Sequence, residues 1–160
     1  MNLIVFDNVL SNPTEYVKDM LEHGFQDFYD SEKTFHGMQP RGEDEFLKFA
    51  LSLFPGYEIK LNFARQSPEG QVEPNHIHKD DMMGDITAIL YLNENPPKED
   101  GTIIYDEDET PMCRVYSKFN RMIAFDSDAP HSRALFDNFG KGDDARLIQV
   151  VFLSAIDSER

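Results

Sequence analysis

The chain has 160 residues, 40% hydrophobic and 12% aromatic, which suits one domain with a filled core. Its formal charge of −15 disfavours nucleic acid and anionic membranes, and favours basic partners and cations, although such a charge serves first to keep a protein soluble. The single cysteine, Cys113, excludes an internal disulfide and a multi-cysteine zinc site, and reads as a small core residue.

In chain order, Leu3–Phe6 reads as a short strand. The start lacks a basic leader and the apolar runs are short, so the expected location is cytoplasmic, with no membrane span. Asn12 has the character of an N-cap, followed by Pro13 at the first helical position and Glu15 three residues after the cap. Tyr16, Val17, Met20 and Leu21 share one face of this helix, and Gly24 stops it. Residues 25–42 carry Gly37, Pro40 and Gly42 and read as irregular. A second helix is expected over Glu43–Phe54, apolar around much of its circumference and suited to packing on a sheet, with Pro55–Gly56 ending it.

From Tyr57 the period changes to two. Tyr57, Ile59, Leu61 and Phe63 alternate with polar residues, as in a half-buried strand. A loop with Pro68, Gly70 and Pro74 is expected over Gln66–Asn75. Short strands follow at Ile86–Leu92, Thr102–Tyr105, Arg114–Tyr116, Met122–Phe125 and Arg146–Leu153. Strands without intervening helices indicate an antiparallel barrel or sandwich, here supported by two helices.

The chemistry concentrates in H-I-H-K-D at 76–80. Residues two apart in extended chain project the same way, so His78 and Asp80 point together and His76 is able to join them. His131, in F-D-S-D-A-P-H after a strand, is the best further ligand. Two histidines and one carboxylate on one face of a metal leave three positions open, which suits non-haem Fe(II). Alone, H-x-D is a weak signal, since both residues are common in loops. His23 and His36 belong to no motif and read as structural. Asp106–Glu109 reads as a solvated acidic turn.

With these residues in place, the sequence resembles the 2-oxoglutarate/Fe(II)-dependent oxygenases, in their prolyl-hydroxylase-like branch. The resemblance rests on H-K-D at 78–80, Y-L-N at 91–93, D-G-T at 100–102, F-D-S-D-A-P-H at 125–131 and R-L-I-Q-V-V-F at 146–152. It implies a mainly β double-stranded β-helix, a jelly-roll or cupin-like barrel, over residues 57–153, with residues 1–56 supplying the N-terminal strand and supporting helices. It implies His78, Asp80 and His131 as iron ligands. Arg146 would grip the distal carboxylate of 2-oxoglutarate with its planar fork. Tyr91 would reach the same carboxylate, and Ile89 would wall the pocket. Cofactors implied are Fe(II), 2-oxoglutarate and O₂, with ascorbate as a stimulant, and the products are succinate, CO₂ and a hydroxylated C–H bond.

The chain departs from the branch in two places. The interval from His131 to Arg146 is long, leaving Arg133 and Lys141 as rival anchors, and Asp100–Gly101 stands where a double glycine is usual. Arg133 shares the parity of His131 and is a candidate for substrate contact, as is Arg65. The favoured substrate is a peptidyl, prolyl-type side chain, with a small-molecule hydroxylase as the enzymatic alternative. A non-catalytic cupin-like binding module using His76, His78 and His131 is the alternative of another kind, although the glutamate expected after a cupin H-x-H is absent.

Overall fold

A computed structural model describes residues 2–72 and 76–156. The part of the expected 66–75 loop at residues 73–75 lies outside the described residues. The fold is mainly β with two helices. In chain order its elements are β1 (Leu3–Phe6), α1 (Pro13–His23), β2 (Gln26–Tyr29), β3 (Thr34–Pro40), α2 (Glu45–Leu53), β4 (Tyr57–Ser67), β5 (Ile86–Tyr91), β6 (Gly101–Tyr105), β7 (Pro111–Tyr116), β8 (Arg121–Asp126), β9 (His131–Arg133) and β10 (Arg146–Ala155). A large antiparallel sheet has the order β1-β8-β5-β10-β4-β3-β2, and a smaller one has the order β7-β6-β9.

The N-cap signals operate as the residues dictate. Asn12 accepts from the Glu15 amide at the start of α1, and Asp44 accepts from the Leu47 amide at the start of α2. Because Asp44 is the cap, α2 begins at Glu45, two residues later than Glu43. Residues 25–42 correct the sequence reading: instead of irregular chain they form the β2–β3 hairpin that widens the large sheet. Gly37, which had marked a loop, is there for close approach. A Cβ at this position would lie 2.1 Å from the Gln66 carbonyl oxygen, and φ is +65°. β4 also runs on to Ser67 rather than ending before Gln66.

The two faces of the large sheet do different work. One face packs beneath the helices, where Met20, Phe46, Leu47 and Ala50 meet Ala64, Ala88, Leu90, Met122, Leu147, Val151 and Leu153. Polar groups in this layer are paired. Buried Gln149 accepts from the Tyr16 hydroxyl (2.6 Å) and donates to Asp44 Oδ2 (2.9 Å) and Asn62 Oδ1 (2.8 Å). The other face turns toward the small sheet and encloses a second cluster of Tyr91, Ile104, Val115, Ile123, Phe125 and Ala129, with Ile89, Ile148 and Cys113 against it. This second layer is the barrel interior, and the candidate site opens from it.

Candidate functional site

His78, Asp80 and His131 converge: a donor atom from each lies within 4.8 Å of the others. Backbone pairing brings them together. His78 and His131 face each other across an antiparallel bridge, each amide donating to the other's carbonyl at 2.9 Å. The Asp80 amide donates to the Ser127 carbonyl at 2.8 Å, so the H-x-D segment is stapled along the corner between β8 and β9. β9 was not foreseen from the sequence, and it is the element that positions His131.

The ring orientations are fixed as well. Nδ1 of His78 lies 2.9 Å from the His76 carbonyl oxygen, and Nδ1 of His131 lies 2.9 Å from that of Ala129. A carbonyl only accepts, so each Nδ1 carries the proton and each Nε2 presents its lone pair. Those Nε2 atoms face the carboxylate: His78 Nε2 is 3.7 Å from Asp80 Oδ1, and His131 Nε2 is 2.9 Å from Asp80 Oδ2. Bonds of about 2.1 Å to a six-coordinate metal place neighbouring donors about 3 Å apart, so this set fits one ion with small adjustments. His131 is buried against Phe125, at 4.8 Å between ring centroids, whereas His78 is more open.

His76 enters through its backbone carbonyl, which orients His78. Its ring stands 5.3 Å from that of His78, and among the described residues the group placed to hold a metal ion consists of His78, Asp80 and His131. Asp80 holding that place weighs against an H-x-H cupin arrangement.

Deeper in the barrel, register places the remaining candidates on one face. Ile148 of β10 pairs with Tyr91 on one side and Arg65 on the other, and Val150 pairs with Ile89. Arg146, two residues before Ile148, shares that face and is 5% exposed. Its Nε is buried without a hydrogen-bond partner among the described residues, and its nearest charged neighbour there is Asp100 Oδ1 at 3.9 Å. The Tyr91 hydroxyl pairs with Thr102 Oγ1 at 2.6 Å. Burial pushes the Tyr91 phenol well above its ordinary pKa, so it stays protonated and able to donate. A guanidinium with an orphaned Nε and a neutral phenol on one barrel floor are donors that suit a carboxylate.

Of the other candidates, Arg133 and Arg65 also lie on the inner face by register, whereas Lys141 does not. Arg133 pairs with Thr102 in register, and its Nη2 donates to Asn138 Oδ1 at 2.5 Å. Arg65 donates to the His36 carbonyl at 3.1 Å. Lys141 lies at the surface against Glu69, at 3.1 Å. His36 pairs with Asp27, and His23 Nδ1 meets the Asp19 carbonyl. The acidic turn is internally capped: Asp106 Oδ1 accepts from the Asp108 and Thr110 amides, and Glu107 pairs with Lys79 beside the ligand pair. Asp81, Gly84, Asp85, Asp126 and Asp128 line a cleft of about 380 Å³ next to the H-x-D corner.

Two site residues were missed in the sequence reading. Thr102 was noted only as part of D-G-T and Asp100 only there and as a departure from a double glycine, and the structure makes them neighbours of Tyr91 and Arg146 respectively. The departure of Asp100 from glycine was the available signal.

No helix among the described residues is long and apolar enough to cross a membrane. No family model matches the chain, and no curated protein matches it. Solved structures do. A prolyl-4-hydroxylase from Pseudomonas putida aligns with a TM-score of 0.61 at 17% identity, covering 97% of this chain and 93% of that one. A Trichoplax adhaerens prolyl hydroxylase, solved with a hypoxia inducible factor peptide fragment, aligns with a TM-score of 0.63 at 16% identity, covering 94% and 82%. A non-heme alpha-ketoglutarate-dependent epimerase from nogalamycin biosynthesis aligns with a TM-score of 0.64 at 13% identity, covering 94% and 76%. The chain therefore has the double-stranded β-helix fold of the 2-oxoglutarate/Fe(II) oxygenase structures, prolyl hydroxylases among them.

Proposed function

We propose that this chain is an Fe(II)- and 2-oxoglutarate-dependent dioxygenase that hydroxylates a C–H bond. The observation that carries the reading is the pairing of two features in one barrel: a His78–Asp80–His131 cluster at its mouth and a buried Arg146 with an orphaned Nε on its floor. A metal site alone fits many functions, and a buried cation alone fits a structural pair. Together they fit a ligand that chelates at one end and carries a carboxylate at the other.

His78 and His131 would give Nε2 lone pairs and Asp80 a carboxylate oxygen, leaving one side of the ion open. Bound Fe(II) would supply the activation of O₂, coupled to oxidative decarboxylation of 2-oxoglutarate to succinate and CO₂. Arg146 would hold the distal carboxylate with its fork, and the Tyr91 hydroxyl would donate to it. Ile89 would close the apolar wall between the two ends and exclude water. Arg133 and Arg65, both on the inner face by register, would meet substrate nearer the rim.

We favour a peptidyl, prolyl-type substrate. Prolyl hydroxylase structures cover nearly all of this chain, and the acidic cleft at Asp81, Asp126 and Asp128 suits a segment carrying basic residues. The test is a thermal shift with Mn(II), 2-oxoglutarate, and both together. Stabilisation by the pair beyond the sum of the separate effects is expected, because each binds the folded state beside the other. Additive or null shifts, with no Fe(II)-dependent succinate formation, would refute the assignment. Screening a peptide library for gain of one oxygen separates peptidyl from small-molecule substrates.

A further inference from the structure

Resting on that reading, we infer that Asp100 is a specificity-determining residue for the co-substrate: a resident carboxylate that pre-pairs Arg146 and opposes the distal carboxylate of 2-oxoglutarate.

Both side chains are buried, Asp100 at 3% and Arg146 at 5% exposure, with Asp100 Oδ1 3.9 Å from Arg146 Nε. This is an ion pair without a hydrogen bond, since Nε has no hydrogen-bond partner among the described residues. The chain cannot easily carry Asp100 away. Its amide donates to the Pro97 carbonyl and its carbonyl accepts from the Ser117 amide, at 3.0 and 2.8 Å. The next residue, Gly101, is pressed so closely on β7 that a Cβ would lie 2.0 Å from the Val115 carbonyl oxygen. Asp100 also acts electrostatically on Tyr91, so its charge is felt at both groups proposed to receive the co-substrate.

The floor is therefore already close to charge balance. A guanidinium alone would attract a distal carboxylate strongly. Beside Asp100, an incoming carboxylate gains Arg146 and meets a like charge in a buried setting, which cancels much of the gain. The cradle accordingly discriminates weakly between 2-oxo acids that end in a carboxylate and those that do not.

The probe pair is 2-oxoglutarate and 2-oxovalerate, equal in chain length, with only the first carrying a distal carboxylate. Dissociation constants for both are measured by calorimetry with Mn(II), in the wild type and in Asp100→Asn. An unopposed charged hydrogen bond is worth roughly ten- to hundredfold in affinity. The wild-type preference for 2-oxoglutarate is expected to be below about tenfold, and to rise by about tenfold in D100N. D100N should also lower the melting temperature of the ligand-free protein, since buried Arg146 loses its counter-charge, while enlarging the shift given by 2-oxoglutarate. Strong binding with an unchanged preference in D100N would overturn the role of Asp100 and leave the oxygenase reading intact. Binding of 2-oxoglutarate by neither protein would overturn both. If D100N does not fold, the wild-type preference decides alone: below about tenfold it supports the inference, and above that it overturns it.

Discussion

Gln149→Met is the sharpest test of how the helix layer is fastened to the barrel. Methionine keeps the length and much of the volume of glutamine, so packing changes little. The polar loss is specific. Three of the four hydrogen-bonding capacities of the Gln149 amide are used, by Tyr16, Asp44 and Asn62. Asp44 keeps the Arg41 Nε and Leu47 amide contacts, so it is not stranded. Asn62 Oδ1 loses the hydrogen bond that Gln149 supplied, whereas the half-buried Tyr16 hydroxyl keeps Asp44 and Arg41 beside it. One orphaned buried acceptor costs about 1–3 kcal/mol, so a loss near 2 kcal/mol is expected. For a chain of this size that corresponds to a fall of about 4–8 °C in melting temperature. Differential scanning calorimetry reads the fall, and urea titration should show a lower midpoint with an unchanged slope. A double-mutant cycle isolates the bond: Tyr16→Phe should cost less in the Gln149→Met background than in the wild type, because one of its partners is already gone. Mn(II) affinity measured well below the transition should not move, since Gln149 lies on the opposite face of the sheet from His78, Asp80 and His131. A melting temperature within about 2 °C of wild type would refute the reasoning.

Asp80→Ala and His131→Ala should each weaken Mn(II) binding by about a hundredfold or more in a metal-linked thermal shift. Gly101→Ala should be strongly destabilising, with loss of soluble folded protein on expression: φ is +154° and its Cβ would sit 2.0 Å from the Val115 carbonyl oxygen. Burial raises the Asp44 pKa, but donation from the Leu47 amide, Arg41 and Gln149 outweighs it and leaves the group below its usual value. A carboxyl lowered on folding contributes stability that is present above its unfolded pKa, near 3.8, and is lost as pH falls through the lower folded value. Acid unfolding should therefore steepen below about pH 4, and less so in Asp44→Asn, as followed by circular dichroism.

What the sequence made legible follows from which forces leave a local trace. The Asn12-Pro13-Glu15 cap and the alternation from Tyr57 to Phe63 are written in neighbouring residues, and both elements form where expected, although the strand buries Asn62 and Ala64 and leaves Ile59 and Leu61 exposed. The convergence of His78 with Asp80 follows from extended spacing. His131 belonged to the set only through the order of the surrounding motifs, because the bridge that seats it is a long-range backbone pairing. The β2–β3 hairpin escaped notice for a physical reason: Gln26–Tyr29 is exposed throughout, so it carries no inward–outward alternation, and Gly37 resembles a loop marker while serving a close approach to β4. β9 is three residues long and polar, too short to show a period. The approach of Asp100 to Arg146 depends on two separate strands meeting at the barrel floor. Gln149 within an otherwise apolar strand was a trace of the buried network, but its partners lie in three other segments.

Because His78 and His131 meet through paired backbone hydrogen bonds, their imidazoles reach ligand distance only once the barrel has closed. The two residues are far apart in the chain, so this closure belongs to the slow, non-local part of folding. A partly made chain thus has no cage to offer an ion, in contrast to small zinc domains whose metal drives their folding. On the proposed assignment, the protein would fold first and be loaded afterwards, at a site whose geometry is already set. A chelator should then strip the ion and leave the barrel standing. Metal occupancy would follow the free-ion supply around the finished protein rather than the history of its synthesis.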